Sequence, residues 1–250
     1  MKLIDFLEIE NSKCNMISIV GGGGKTSTLL KLSKELKKLQ KSVLITTTTK
    51  MYIPTEDDYD VHICSDKYYE YMENIDEKNR VLLSSSIANE NKILGVSKQT
   101  LDDIYIKQIY DFIIIEADGA KRKPIKASND TEPQIPIYTD FVIGVIGIDC
   151  FNKKITEDIV HRIDIFNEIT NTSKYDIVDE NVIVKLVKDK KGIFKNSENA
   201  KKILILNKCD TKQDFINTKK IIDKIKENMD DIKIVVSKLN EEKDYIIGSW

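Results

Sequence analysis

The chain has 250 residues, 41% of them hydrophobic, which is enough for one sizeable α/β domain with a real core and excludes a largely disordered protein. Its 39 basic and 41 acidic residues nearly cancel, so we expect no nucleic-acid partner. No apolar run reaches the roughly 18 to 20 residues that cross a bilayer, and four of the first ten residues are charged, so we expect a cytoplasmic protein without a membrane partner.

The first predicted elements are a strand, a glycine loop and a helix. Residues 17–20 form a short apolar run, four glycines follow it, and leucines then recur at helical spacing at positions 29, 32, 36 and 39. A β-branched run at 43–45 comes next. Residues 15–49 are therefore predicted to form a right-handed βαβ unit with parallel strands.

Further continuous apolar runs predict buried strands at 81–83, 112–115, 141–148, 203–206 and 232–236. Helical stretches are expected near 101–110, 156–170 and 214–228. This alternation is typical of a doubly wound α/β fold with a mainly parallel sheet. We predict a single domain over residues 1–250, with insertions at 54–79 and 121–138 that close over the site.

The loop after the first strand has the composition of a phosphate-binding turn. It comprises Gly21, Gly22, Gly23, Gly24, Lys25, Thr26 and Ser27. Bare backbone lets several N–H groups face one anion, and the helix N-terminus adds partial positive charge. Lys25 is predicted to reach the β- and γ-phosphates and Thr26 to bind Mg²⁺. Because Ile19 replaces the first glycine of GxxxxGK[ST], the match is to the GGxGKT loop of SIMIBI-class P-loop NTPases.

A carboxylate follows the predicted strand 112–115, where a doubly wound sheet binds its ligands. Glu116 is predicted to hold Mg²⁺ through a water, and Gly119 to bring its N–H to the γ-phosphate. Glu116 to Gly119 thus have the ExxG form of a nucleotide-sensing switch. Asp118 is the other candidate for contacting the metal or positioning the attacking water.

The strand at 203–206 leads into Asn207, Lys208, Cys209 and Asp210, an NKxD motif. In this motif the aspartate accepts hydrogen bonds from guanine N1 and N2, a donor pair that adenine lacks. We favour guanine over adenine, although so short a motif also arises by chance.

Basic residues are almost all lysine, so the three arginines stand out. Arg122 and Arg162 lie inside candidate motifs, and the planar fork of arginine favours an anionic second ligand. Arg80 has no such context and is predicted to be structural. His161 is a candidate general base or ligand, or else a partly buried structural residue.

The cysteines show no CxxC pair, so we expect reduced thiols and no zinc site. A thiolate at Cys64 or Cys150 could attack or carry selenium, but we expect both to be buried, inert thiols.

The segments VGGGGKTS, VLITTTTKM, EADGAKRKPIKA, TEPQIP and VHR resemble the YqeC family over nearly the whole chain. The resemblance implies a P-loop NTPase that helps to mature a selenium-containing molybdenum cofactor. It extends to residues 21–27, 46–50, 116–123, Glu132-Pro133 and His161-Arg162. One position departs from the pattern, since Thr131 stands where a histidine is expected before Glu-Pro.

Together these features predict Mg²⁺-dependent binding and hydrolysis of GTP, or of ATP, with a molybdenum cofactor precursor or a molybdoenzyme as the further partner. Two alternatives stay open. One is a small-molecule kinase or nucleotidyltransferase whose acceptor lies beside residues 46–50 and Arg122; the other is a nucleotide-gated binding module without turnover. A homodimer is among the assemblies that the sequence allows.

Overall fold

A computed structural model describes residues 2–6, 14–65, 79–229, 231–239 and 245–250. Its strands are β1 (Asn15–Gly21), β2 (Val43–Thr47), β3 (Lys50–Tyr52), β4 (Val61–Cys64), β5 (Arg80–Ser84), β6 (Ser86–Asn89), β7 (Lys92–Leu94), β8 (Phe112–Glu116), β9 (Ile125–Lys126), β10 (Phe141–Gly147), β11 (Val160–His161), β12 (Lys201–Asn207), β13 (Lys233–Lys238) and β14 (Tyr245–Ser249). Its α-helices are α1 (Lys25–Lys38), α2 (Lys98–Ile106), α3 (Ile163–Thr170), α4 (Glu180–Lys188) and α5 (Lys212–Lys226).

Nine strands form the central sheet in the order β14-β13-β12-β10-β1-β8-β2-β5-β4. Every neighbouring pair is parallel except β13–β14, which is antiparallel. The prediction of a doubly wound, mainly parallel α/β fold is confirmed. The chain runs outward from β1 in both directions, so the carboxyl end of β1 lies at the switch point where such sheets bind ligands.

Helices cover both faces of this sheet, and alternate strand residues supply two separate cores. Ile17 and Ile19 of β1 pack with the leucines of α1, whereas Met16 and Val20 belong to the core that contains residues of α2, α3, α4 and α5. Burial on both faces is the reason that the strands are continuous apolar runs.

Two small sheets flank the carboxyl edge of the main sheet. One is antiparallel, in the order β3-β7-β6, and the other is the parallel pair β9–β11. These strands are only two to four residues long, and the sequence patterns did not predict them. They form part of the wall of the site described below.

Several boundaries differ from the sequence-based expectations. Leu39 ends α1 as its C-cap and is 46% exposed, so it does not extend the buried stripe. Helix α4 was not predicted, because its apolar residues are nearly continuous and β-branched, which favours a strand pattern. Within the predicted insertion 54–79, Val61–Cys64 is an edge strand of the main sheet, and residues 66–78 lie outside the described residues.

Candidate functional site

The glycine loop turns sharply between β1 and α1. Gly23 and Gly24 have φ values of 71° and 134°, which side-chain-bearing residues rarely adopt. A Cβ on Gly24 would lie 2.2 Å from Asn207 Nδ2. Both the backbone conformation and the close approach of Asn207 at the end of β12 therefore require glycine here.

Part of the loop is fixed by the protein itself. Gly22 N and Gly23 N donate to the carbonyls of Val145 and Lys123, each at 2.9 Å. The amides of residues 24–27 open α1 and have no hydrogen-bond acceptor among the described residues. The N-cap also lacks a side-chain cap, and the first turn has no acidic residue. The helix thus presents free N–H donors and partial positive charge to an anion.

Lys25 is enclosed at the base of this loop and is only 5% exposed. Its Nζ donates to Gly21 O at 2.9 Å and lies 3.3 Å from Asp118 Oδ1 and 3.9 Å from Glu116 Oε1. Burial alone would lower the pKa of Lys25, but Asp118 and Glu116 outweigh it and raise the pKa. The ammonium group is therefore charged and held beside the open amides.

Oxygen atoms suited to a hard cation lie next to Lys25. Thr26 Oγ1 donates to Glu116 Oε2 at 2.7 Å, and burial raises the pKa of Glu116 despite the opposing effect of Lys25. Buried Asp118 Oδ1 accepts no hydrogen bond from the described residues. No three His, Cys, Asp or Glu side chains cluster closely enough to hold a metal in the part of the chain described here. Mg²⁺ at nucleotide sites uses only one or two protein oxygens plus phosphates and water, and Thr26 with Glu116 fits that requirement.

A buried lysine that the sequence did not single out connects the acidic switch to the 121–138 segment. Lys126 Nζ lies 2.9 Å from Asp118 Oδ2 and donates at 2.9 Å to Glu132 Oε2 and to Gly119 O. In the sequence it lies within the segment EADGAKRKPIKA, between the apolar residues Ile125 and Ala127, both buried. All three donors of this ammonium are used inside the protein.

Glu132 and Arg162 extend this network. Arg162 Nη1 donates to Glu132 Oε2 at 2.7 Å. Burial alone would raise the pKa of Glu132, but Arg162 and Lys126 outweigh it and lower the pKa to about 2. Glu132 is thus an ion-paired carboxylate rather than a solvated loop acid. Burial, followed by the charge of Arg162, lowers the pKa of neighbouring His161 to about 4, so this imidazole is neutral near pH 7.

These elements enclose a groove of about 700 Å³ at the carboxyl edge of the sheet. Two other cavities, of about 390 and 500 Å³, contain none of the loop residues. Among the described residues that line the groove, two are glutamates, Glu116 and Glu132, and eight are basic: Lys25, Lys50, Lys92, Lys121, Arg122, Lys123, Arg162 and Lys208. This excess of positive charge favours a polyanionic ligand.

The NKxD segment lies beside the loop, and its members have different surroundings. Asn207 is fully buried, donating from Nδ2 to Gly23 O at 2.9 Å and accepting from Ser237 Oγ and Leu239 N. Its side chain therefore supports the loop from behind. Lys208 lines the groove and pairs with Asp149 at 2.7 Å, whereas Asp210 is half-exposed and lies 3.2 Å from Lys238 Nζ.

Other candidate residues have mainly structural contacts. The hydroxyls of Thr46, Thr47 and Thr48 donate to the carbonyls of Leu83, Glu116 and Gln134. Cys64 is exposed on β4, while Cys150 is buried, and burial followed by the charge of Asp149 raises the pKa of its thiol. The described residues of 54–79 do not line the groove; β3 and β7 form that wall instead.

None of the five described helices has the length and apolar character needed to span a bilayer.

A parallel α/β sheet whose switch point holds a glycine loop, an enclosed lysine and a threonine–glutamate pair defines a protein of the P-loop type. The YqeC protein family matches residues 17–164, and the chain belongs to this family. It is 33% identical over 194 residues to "Uncharacterized protein YqeC" of Escherichia coli (strain K12), covering 77% of this chain and 75% of the relative.

A solved structure with a similar arrangement is FtsY from Mycoplasma mycoides, at a TM-score of 0.37 and 15% identity. The match covers 91% of this chain, which spans 62% of the FtsY chain.

Proposed function

We propose that the protein is a SIMIBI-like NTPase that binds a purine nucleoside triphosphate with Mg²⁺ and hydrolyses it. The observation that supports this proposal most is the enclosed, charged Lys25 beside the unbonded amides of residues 24–27. A triphosphate would supply the acceptors that these donors lack, and its charge would match the basic groove.

Each residue around the loop has a proposed role. Lys25 and the loop amides hold the β- and γ-phosphates, and Gly119 N–H contacts the γ-phosphate. Thr26 binds Mg²⁺ directly and Glu116 binds it through a water; the ion, when bound, neutralises charge on the terminal phosphates. Asp118 Oδ1, which lies 3.3 Å from Lys25 Nζ, is the oxygen proposed to accept a hydrogen bond from an attacking water, because Oδ2 already accepts from Gly21 N and pairs with Lys126. Glu116 is the alternative water-positioning group.

Guanine is the proposed base, read by Asp210, with Asn207 and Lys208 supporting the contact. The half-exposed Asp210 carboxylate can exchange its ion pair with Lys238 for two base donors at small cost, since exposed pairs contribute about 0 to 1 kcal/mol. Calorimetric titrations of GTP and ATP would test this. We expect tighter binding of GTP and loss of the preference in Asp210→Ala, with Asp223→Ala on the exposed face of α5 as the matched control. Equal affinities that Asp210→Ala leaves unchanged would reject guanine.

We further propose, from the family resemblance, that turnover assists the maturation of a selenium-containing molybdenum cofactor enzyme. Arg122 and Arg162 would engage a phosphate of the cofactor precursor or an acidic group of the client protein. Loss of the protein should then reduce the selenium content of the client molybdenum hydroxylase, and an unaltered selenium content would contradict the role.

The second candidate function is transfer of a phosphoryl or nucleotidyl group to an anionic acceptor. The basic residues that line the groove on the side of β3 and β7 favour it. Chromatography of the products distinguishes the two functions. Hydrolysis of GTP yields only GDP and phosphate, whereas group transfer also yields a phosphorylated or nucleotidylated acceptor.

A further inference from the structure

Five of the eight basic residues that line the groove form no ion pair with a carboxylate of the described residues. Lys25 and Arg162 pair with acidic groups of the switch network, Lys208 pairs with Asp149, and Lys123 donates to a carbonyl. In contrast, no described carboxylate forms an ion pair with Lys50, Lys92, Lys121 or Arg122, which we call the cationic cluster. Unpaired cations gathered on one wall repel one another unless an anion joins them.

The centre of the cationic cluster is the ring of Tyr52. Lys92 Nζ lies 4.2 Å and Arg122 Cζ 4.3 Å from the ring centroid. Tyr52 and Lys92 are direct cross-strand partners of β3 and β7, whereas Arg122 approaches from the loop after β8. The ring of Tyr52 thus fixes the positions of two like charges, each in contact with the ring.

The backbone of this region is strained in a way that favours a ligand role. Among the described residues, the non-glycine positions with positive φ that lie in the groove are all basic: Lys121, Arg122, Arg162 and Lys208. The others are Gln40, Gln108, Asn152, Asn171, Tyr175 and Asn196, mostly amides, and asparagine tolerates this conformation best. Such strain concentrates at ligand-binding sites.

The strand order places the cationic cluster beyond the end of the triphosphate. Along the carboxyl edge, Lys208 follows β12, the glycine loop follows β1, Glu116 ends β8, and Lys50 and Tyr52 follow β2. A nucleotide with its base near Asp210 and its phosphates on the loop therefore ends beside Glu116. The cationic cluster lies on the far side of that point, where the nucleotide does not extend.

We propose that the cationic cluster binds a second ligand, a small phosphorylated molecule whose phosphate contacts the basic side chains around Tyr52, Lys50 and Lys92 among them, while the loop holds the nucleoside triphosphate. This inference rests on the proposed function, because the bound triphosphate determines which part of the groove stays available to a second ligand. It names the chemical class of the second substrate, a phosphate-bearing small molecule, without requiring transfer of a group to it.

Inorganic pyrophosphate is the probe for this subsite. It is titrated calorimetrically into the full chain saturated with Mg²⁺ and the nonhydrolysable analogue GMPPNP. We expect one pyrophosphate to bind per chain, and Lys50→Ala/Lys92→Ala to weaken it by about tenfold or more, since two charge contacts are lost. The matched control is Lys174→Ala/Lys219→Ala, which removes the same charge and two cation–ring contacts elsewhere. Pyrophosphate should bind this control as tightly as it binds the wild type.

Two results would overturn the subsite: no pyrophosphate binding to the GMPPNP-loaded protein, or equal weakening in both double variants. Failure of the proposed function is recognised separately. In that case neither GMPPNP nor the corresponding nonhydrolysable ATP analogue, AMPPNP, binds to the chain. Pyrophosphate is then titrated into the nucleotide-free wild type and into both double variants. Weakening confined to Lys50→Ala/Lys92→Ala would then still support the subsite, and identical binding in all three proteins would reject it.

Discussion

Gly24 and Gly119 both line the groove, but they differ in the space around the α-carbon. Gly24 has φ 134° and faces Asn207 Nδ2, whereas a Cβ on Gly119 would have its nearest neighbour, Glu132 Oε1, at 3.8 Å. We expect Gly24→Ala to lower the free energy of unfolding by about 1 to 3 kcal/mol and to weaken nucleotide binding severely. Gly119→Ala should stay within about 0.5 kcal/mol of the wild type. Urea unfolding and calorimetry measure both; normal nucleotide affinity in Gly24→Ala would contradict the loop geometry.

The carboxyl of Glu132 gives the stability of the protein a defined acid dependence. Its pKa is about 2 in the folded chain against an ordinary value of 4.5, so the unfolded chain binds the proton more readily. The stabilisation is fully present above pH 4.5 and is lost as pH falls toward 2. We expect Glu132→Gln to be less stable at pH 6 by up to about 3 kcal/mol, and the difference to shrink below pH 4.5.

Urea unfolding from pH 6 to pH 2 measures this dependence. Glu168→Gln is the matched control, because Glu168 is 73% exposed and makes only a surface ion pair with Lys191. A constant difference between the wild type and Glu132→Gln across this range would show that the pairing of Glu132 with Arg162 and Lys126 does not stabilise the fold.

Local sequence predicted where some residues of the groove lie, but not others. Lys25, Thr26 and Glu116 could be predicted because their positions follow from a strand end and a loop of fixed length. Lys126 could not, since its three partners are brought together only by the β9–β11 pair and the 121–138 segment. For Asn207, the motif predicted a nucleotide contact, whereas in the structure its side-chain amide donates a hydrogen bond to the carbonyl of Gly23 in the glycine loop.

At the scale of elements, the helix N-termini divide into two kinds. Helices α2, α4 and α5 have side-chain N-caps, supplied by Ser97, Asp179 and Thr211. Helices α1 and α3 have none, and their N-cap residues, Gly24 and Arg162, both line the groove. The uncapped helix ends are thus found where anions are proposed to bind, since a side-chain cap would occupy the amides that a phosphate needs.

The capping box of α5 links helix stability to the proposed base contact. Thr211 Oγ1 accepts from Asp214 N, and Asp214 Oδ2 accepts from the amides of Asp210 and Thr211. We expect Thr211→Ala to cost about 1 kcal/mol of stability and also to weaken GTP binding. Ser97→Ala should cost a similar amount without changing GTP affinity, and Thr211→Ser should restore both properties. Denaturant unfolding measures the free energy of unfolding, and calorimetric titration measures the GTP affinity. A GTP affinity unaffected by Thr211→Ala would show that the cap of α5 does not contribute to binding of the base.

The length of an element decided whether the sequence could predict it. All seven runs predicted as strands are strands of the central sheet, because each is apolar on both faces. The flanking strands β3, β7, β9 and β11 have two or three residues each, too few for a period to be visible. The groove wall that they form was therefore predicted only in part, through Lys50 and Arg122.

At the scale of the whole molecule, ligand binding should appear as added stability. A nucleotide that binds only the folded chain raises the unfolding free energy by about 2.7 kcal/mol at a concentration one hundred times its Kd. We expect this gain with Mg²⁺ and GTP, and its loss in Lys25→Met. Lys190→Met is the control, because Lys190 is exposed in the turn that follows α4 and does not line the groove. If neither GTP nor ATP raises the unfolding free energy of the wild type, the proposed function is wrong.

The side chain of Asn207 joins the end of β12 to the glycine loop, with the amide nitrogen on Gly23 and the amide oxygen on the segment after β13. In the proposed function Asp210 binds the base and the glycine loop binds the phosphates, so the side chain of Asn207 would transmit a displacement at the base to the phosphate-binding turn. Substitutions near the base would then alter turnover as well as affinity, and catalytic rates alone would not measure the preference for a base.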